Sequence, residues 1–169
     1  MKKILFTTLL MMSGVLSMNA QKIALVDMEY ILKKIPAYEI ANEQLTQISK
    51  KWQSEVDVLT KQAKEMYVKY QAEMVYLSDE LKKKRENDIL AKEKEAAELK
   101  KNYFGTEGEL FKKRQSLLTP IQDEIYTAVK ALSEEKGYTL ILDRATGDNI
   151  IFASPKMDIS EEVLQKLGD

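Results

Sequence analysis

The segment YQAEMVYLSDELKKKRENDILAKEKEAAELKK, residues 70–101, lies in a highly charged, helix-forming stretch that contains no proline between Pro36 and Pro120. Such a stretch is far longer than an ordinary globular helix. Ser78 and the two acids after it are typical of a helix start, because a hydroxyl caps free backbone N–H groups and acids favour the first turn. The segment therefore predicts two helices, with a reversal of the chain just before Ser78.

The two limbs of this predicted hairpin, residues 38–77 and 78–117, have equal lengths. At about 1.5 Å per residue, each limb would be on the order of 60 Å long. The alternative is one uninterrupted helix, which would separate the β-like segments IALVD at residues 23–27 and YTLILD at residues 138–143. We therefore predict an arm formed by a long antiparallel hairpin and a small body formed by both chain ends.

Apolar residues recur with heptad spacing along both limbs, which predicts coiled-coil packing. The seam of the first limb is Leu45, Trp52, Leu59 and Met66, with companion positions at Val56, Ala63, Tyr70 and Leu77 and polar interruptions at Ser49 and Glu73. The returning limb has a weaker seam of Ile89, Ala96, Tyr103, Leu110 and Leu117, with Lys92 and Lys113 at places that a tight coil would fill with apolar residues.

Glycine and proline predict the boundaries of the later elements. Gly105 and Gly108 each weaken a helix by about 1 kcal/mol relative to Ala, so a bend is expected at residues 104–108. Thr119 followed by Pro120 is typical of a new helix start.

Beyond that helix, Gly137 is suited to a left-handed helix stop. Residues 138–143 and 149–153 then predict a β-hairpin, and Ser160 is expected to cap a last short helix.

The first twenty residues are typical of a secretory signal peptide, with two early lysines, an apolar run and Ala20 before the cleavage point. An uncleaved membrane anchor is the alternative, but the apolar run is shorter than the roughly twenty residues that span a bilayer. The predicted segments are a signal peptide at 1–20, the body at 21–36 and 119–169, and the arm at 37–118.

The composition excludes several classes of function. Removing Lys2 and Lys3 with the leader leaves 24 of the 26 basic residues against 27 acidic ones, a net charge of −3 that does not indicate nucleic-acid binding. The chain has no Cys and no His, so thiol nucleophiles, imidazole bases and the common zinc ligand sets are absent. It also lacks the glycine-rich nucleotide motifs and the nucleophile elbow. We predict a protein that is not an enzyme and needs no cofactor or metal.

The predicted reversal carries a basic cluster, which we call the basic tip: Lys82, Lys83, Lys84 and Arg85. The cluster either is a solvated surface or contacts an acidic partner or anionic lipid, at about 1 kcal/mol per basic residue near such a surface.

The same end of the arm holds more apolar residues than one seam can bury. Met66, Tyr70 and Leu77 fit structural packing. We expect four others, the tip patch, to face outward and bind a partner, because Met and Tyr adapt to varied surfaces: Tyr67, Met74, Val75 and Tyr76.

The order of segments along the chain resembles the Skp (OmpH) family of periplasmic chaperones. The resemblance rests on KIALVDMEYIL at residues 22–32, the charged hairpin, PIQDEIYTAVKALSEEKGYTLILD at residues 120–143 and MDISEEVLQKL at residues 157–167. One difference is charge, because the best-known members are markedly basic and this mature chain is slightly acidic.

The resemblance implies a predominantly α-helical α+β fold, in which three copies share a β body and their tentacle-like hairpins enclose a cavity. That cavity would hold unfolded outer-membrane β-barrel proteins in the periplasm, without ATP. The implied body or interface residues, called the body set, are Ile23, Leu25, Val26, Leu140, Leu142, Ile150 and Phe152.

Two functions therefore remain in competition. The first is a periplasmic holdase, which binds unfolded chains through many weak contacts and prevents their aggregation. The alternative is a periplasmic coiled-coil scaffold or spacer with one folded partner. The polar seam residues Ser49, Glu73, Lys92 and Lys113 argue against the scaffold, because a rigid spacer favours uninterrupted packing.

Overall fold

The computed structural model describes residues 21–146 and 150–168, so the predicted signal peptide lies outside the described residues. These residues form two compact units. The body unit comprises residues up to Lys34 together with those from Ile125 onward, and the arm unit is Ile35–Glu124. The elements are β1 (Ile23–Val26), α1 (Met28–Lys34), α2 (Pro36–Glu73), α3 (Asp79–Phe104), α4 (Glu109–Lys136), β2 (Leu140–Asp143) and α5 (Ser160–Gly168), with single 3-10 turns at Met74–Tyr76 and Pro155–Met157. The small sheet and dominant helices confirm the predicted α+β, predominantly α-helical class.

Helices α2 and α3 form an antiparallel hairpin within the arm unit. Helix α2 begins with Pro36 directly after the extended residue Ile35, as expected because proline is tolerated in the first helical turn. The hairpin buries mostly the predicted seam positions, with Ala41 in addition: Leu45, Val56, Ala63, Tyr70, Ile89 and Ala96. Trp52, Leu59 and Met66 are only half-buried.

The helix break predicted at residues 104–108 is confirmed, since α3 ends at Phe104 and α4 starts at Glu109. The N–H of Gly108 donates to the carbonyl oxygen of Gly105 at 2.9 Å. A Cβ atom at Gly108 would lie 2.8 Å from the carbonyl oxygens of Asn102 and Tyr103, so the turn has no room for a side chain.

An aromatic contact lies next to this break. The rings of Trp52 and Tyr103 stack with centroids 4.7 Å apart, and the Tyr103 hydroxyl donates to Glu55 Oε2 at 2.5 Å. The stack fixes the last turn of α3 against α2. The hydrogen bond to the carboxylate of Glu55 also raises the pKa of Tyr103, because it favours the protonated phenol.

The predicted helix start at Thr119 and Pro120 is wrong. Helix α4 continues through Pro120 from Glu109 to Lys136. A proline inside a helix removes one hydrogen bond and crowds the preceding turn. Good helix formers on both sides and the burial of Ile121 and Ile125 outweigh this local cost.

In the body unit, β1 and β2 pair in parallel, with Ile23 opposite Leu140 and Val26 opposite Asp143. The predicted β-hairpin is therefore wrong: residues 147–149 lie outside the described residues, and residues 150–153 form no strand. A strand needs a neighbour for its backbone hydrogen bonds, and within the described part of this chain residues 150–153 have no strand beside them.

Two other local predictions concern the ends of body helices. Gly137 has φ of 70° and ends α4 in the left-handed conformation, as expected. The Ser160 hydroxyl does not cap its own helix; it accepts a hydrogen bond from the Asp27 N–H at 2.7 Å and donates to Asp158 at 2.6 Å. Ser160 thus joins the end of β1 to the start of α5.

Candidate functional site

The outer end of the α2–α3 hairpin is a compact turn. After α2, the residues Met74–Tyr76 form one 3-10 turn, Leu77 is extended, and the N–H of Leu81 donates to the Ser78 hydroxyl at 3.4 Å. This arrangement confirms Ser78 as the cap that begins the returning helix. It also leaves the three residues of the 3-10 turn outside the helical seam, where neither helix covers them.

The base of this turn is firmly packed. Tyr70 is buried, and its hydroxyl donates to Glu86 Oε1 at 2.5 Å across the hairpin. The hydrogen bond to the Glu86 carboxylate raises the pKa of Tyr70, with desolvation acting in the same direction. Glu73 and Arg85 form a second cross-helix contact at 3.7 Å. Two contacts between α2 and α3 therefore hold the base of the turn.

All four residues of the tip patch are exposed. The fractional exposure is 48% for Tyr67, 40% for Met74, 81% for Val75 and 89% for Tyr76. Burying apolar surface is favourable by roughly 25 cal/mol per Å² removed from water, so such residues can contribute to binding. The structure thus brings Met74, Val75 and Tyr76 together on one turn, while Tyr67 lies two helical turns back along α2.

The basic tip is only partly available to a partner. Lys82 pairs with Asp79 at 3.3 Å, and Arg85 pairs with Glu73 at 3.7 Å. Lys83 and Lys84 are exposed and form no ion pair within residues 21–146 and 150–168. The two middle lysines therefore carry most of the charge that remains for an acidic partner.

The body set divides into two groups. Leu25 and Val26 are buried and belong to the core of the body unit, whereas the apolar side chains of Ile23, Leu140 and Leu142 are exposed. The outer edge of β2 has no paired strand within the described part of the chain.

The segment after β2 is more exposed still. Ile150 is half-buried, while Phe152 is 86% exposed and its neighbour Ile151 is 99% exposed. Ile151 was not among the predicted body residues. The alternation of a strand would have placed it opposite Phe152, but in this chain both side chains face solvent.

The described ranges offer neither a metal site nor a membrane-spanning helix. Residues 21–146 and 150–168 contain no cluster of acidic side chains that could hold a metal ion. No helix in these ranges is long and apolar enough to cross a membrane.

These features define a class of protein: a helical hairpin with an exposed apolar turn, carried by a chain whose body unit holds a small parallel sheet. The chain matches the family model described as Outer membrane protein (OmpH-like) over residues 22–167. Because this match covers most of the sequence, the chain belongs to the OmpH-like family, as the resemblance to the Skp (OmpH) family predicted.

A solved structure has the same fold. A crystal structure from Caulobacter crescentus CB15, described as that of an outer membrane chaperone (OmpH-like), aligns with a TM-score of 0.67 at 14% sequence identity. The alignment covers 87% of this chain and 83% of the other. No match was found among curated proteins.

Proposed function

We propose that this protein is a periplasmic holdase, which binds unfolded outer-membrane β-barrel proteins and prevents their aggregation without ATP. The observation that carries the proposal is the exposed apolar turn at Met74–Tyr76. The hydrogen bond between Tyr70 and Glu86 joins the two helices next to this turn. Family membership and the chaperone description of the Caulobacter protein support the same function.

The chemistry of the tip patch suits weak and unselective binding. A thioether and an amphipathic phenol adapt to many shapes, and neither requires a defined partner surface. A protein that binds unfolded chains lowers the concentration of the free unfolded form, which slows aggregation. Such binding needs neither a catalytic group nor a nucleotide, so we propose that the protein is not an enzyme.

We propose that three copies assemble through their body units. The open edge of β2 and the exposed side chains of Leu140 and Leu142 support this assembly, because an uncovered apolar edge is normally paired or covered. Residues 150–153, which form no strand in one chain, would then gain a strand neighbour from another copy. The number three rests on the family resemblance, and sedimentation of the purified protein measures it directly.

We also propose that the basic tip contacts anionic lipid. Lys83 and Lys84 lie in the first two turns of α3, seven and eight residues after the end of the exposed 3-10 turn. Basic residues near an anionic surface gain about 1 kcal/mol each. Co-sedimentation with vesicles that contain phosphatidylglycerol should fall when both lysines become Glu. Unchanged co-sedimentation would remove lipid from the list of partners.

The function is tested by diluting a urea-unfolded outer-membrane barrel into buffer and following light scattering. The mature protein should suppress scattering without nucleotide, with saturation near one assembly per barrel. Replacing all four tip-patch residues with Ser should weaken suppression several-fold, since their apolar area is lost from binding. Circular dichroism and sedimentation verify that the variant is folded and assembled.

A matched control replaces four other exposed apolar residues of the arm unit with Ser: Ile40, Val58, Leu90 and Phe111. Equal losses in both variants would show that clients bind along the whole arm and not at the tip patch. Scattering that the folded mature protein leaves unchanged would contradict the holdase proposal. It would favour the scaffold with a single folded partner.

A further inference from the structure

A groove lies between α2 and α3 on one side of the arm unit, with a cavity volume of about 400 Å³. Its floor is formed by Val56, Ala63 and Ala96, which are all buried. Alanine at two of these positions leaves open the space that a larger seam residue would fill. The remaining lining is Thr60, Lys64, Tyr67, Glu93, Ala97 and Lys100.

The groove has the length of a short extended peptide. Its lining on α2 extends from Val56 to Tyr67. At 1.5 Å per residue this distance is roughly 16 Å, which corresponds to about five residues of an extended chain. An aromatic side chain of such a peptide can reach the apolar floor between the two helices.

The rim of the groove carries cations that the arm unit does not neutralise. Lys64 and Lys100 form no ion pair with any residue in the described ranges. Their neighbours Lys61 and Lys94 do form pairs, each with a Glu four residues later at 3.8 Å. Glu93 is the one acidic residue of the lining, so the rim has a net charge of +1.

We propose that this groove binds an extended segment of an unfolded polypeptide in which an aromatic residue lies beside acidic residues. The aromatic ring occupies the apolar floor, and the carboxylates lie near Lys64 and Lys100. The inference rests on the holdase function proposed above and adds a sequence preference to it. The groove shares Tyr67 with the tip patch, but the rest of its lining lies on the side of the hairpin and excludes the turn at Met74–Tyr76.

The probe is a fluorescent, unstructured peptide with one Phe between two Asp in a Gly-Ser background, and binding is followed by anisotropy. Two further peptides carry Lys in place of both Asp, or Ala in place of Phe. The Asp-Phe-Asp peptide should bind most tightly, because only it offers both the ring and the carboxylates. Its binding should weaken as salt is added, since rim charges are screened.

Reversing both rim charges with Lys64→Glu and Lys100→Glu should weaken binding of this peptide about tenfold, since each attraction becomes a repulsion. The matched control is Lys50→Glu with Lys51→Glu, which changes the net charge equally at exposed lysines outside the lining. Filling the groove with Ala97→Leu should weaken binding to a similar extent. Ala97 is exposed, so the larger side chain leaves the buried seam intact.

A photo-crosslinking amino acid at Ala97 should capture the Asp-Phe-Asp peptide, while the same group at Leu90, which is exposed and outside the lining, should not. Equal capture at both positions, or unchanged affinity in the charge-reversed variant, would overturn the inference. So would dodecanoate that displaces the peptide at much lower concentration, since the groove would then be a lipid site. These outcomes leave the light-scattering test of the holdase untouched, so the two proposals fail separately.

Discussion

The contacts within the body unit differ in kind from those within the arm unit. In the body unit, residues far apart in sequence meet: the Asp27 N–H bonds to Ser160, and the Met28 N–H bonds to Asp143. In the arm unit, most ion pairs join residues three or four apart on one helix, as Lys61 and Glu65 do. Pairs of this kind contribute only a few tenths of a kcal/mol each. The body unit therefore depends on contacts between distant segments of the chain, while the arm unit can lose single contacts with less effect.

Matched isoleucine deletions should give the largest difference between the units. Ile31 in the body unit is fully buried, and Ile89 lies in the two-helix seam near the outer turn. Ile31→Ala should lower the free energy of unfolding by about 4 kcal/mol, and Ile89→Ala by about 2 kcal/mol, since a two-helix layer can close around a cavity more easily. Urea unfolding, followed by circular dichroism, measures both values.

The body variant should also weaken the proposed assembly of copies, because its core supports the exposed edge of β2. Sedimentation at several protein concentrations separates this loss from loss of folding. Equal costs for the two deletions would contradict the distinction between the units. The arm would then have a core as well packed as that of the body unit.

The helix break should give the next largest effect. Gly108→Ala places a Cβ atom 2.8 Å from two carbonyl oxygens, so the turn must open or the helices must shift. We expect a loss of about 1–3 kcal/mol in stability, as for other overpacked positions. Trp52 is the only tryptophan in the sequence and stacks on Tyr103, so its emission should change with the geometry of the break.

The control for this prediction is Gly168→Ala in α5, where a Cβ atom would meet no atom of the described residues within 4 Å apart from its chain neighbours and the backbone of its own helix. It should leave both the midpoint of thermal unfolding and the tryptophan emission unchanged. If Gly108→Ala behaved in the same way, the break would be a loose loop and not a tight turn that requires glycine.

The sequence predicted the arm unit better than the body unit, for a physical reason. Helix seams, the Ser78 cap and the break after Phe104 depend on residues a few positions apart, and spacing along the chain reveals them. The parallel pairing of β1 and β2 joins residues more than a hundred positions apart. A strand's partner is set by the whole fold, and alternation alone does not specify it.

In the candidate site, too, features that depend on nearby residues could be predicted, and features that depend on helix packing could not. Exposure of the tip patch could be anticipated, because the outer end of the hairpin has more apolar residues than one seam can bury. The pairing of Arg85 with Glu73 could not, since it depends on how α2 and α3 are aligned. Lys82 pairs with Asp79 three residues earlier on α3, a spacing that the sequence already contains. The alignment of α2 and α3 also creates the groove beside Ala63 and Ala96, two positions whose heptad spacing predicted only seam packing.

The smallest expected difference between the two units is in how much stability each loses in acid. Burial would raise the pKa of Asp158, but hydrogen bonds from Ser160 and the nearby Arg144 hold it below its ordinary value. The pKa of Asp143 is lowered in the same way, with bonds from Thr146, Ala145 and Met28 outweighing burial. Both carboxylates thus remain charged in the body unit at a pH where unfolded chains begin to bind protons.

Proton linkage determines whether these lowered pKa values stabilise or destabilise the fold at a given pH. A group whose pKa is lower in the folded state contributes stability above its unfolded pKa, about 4 for Asp, and this contribution is lost as the pH falls through the folded value. Asp158→Asn should therefore cost about 1 kcal/mol at pH 7. It should also reduce the loss of stability below pH 4, because the charge that acid would remove is already gone. Asp88→Asn is the control, since the Asp88 side chain is exposed on α3 and forms no hydrogen bond or ion pair within the described ranges. If Asp158→Asn and Asp88→Asn changed acid unfolding equally, the body network would have no special part in it, and protonation of carboxylates all along the chain would explain the loss of stability.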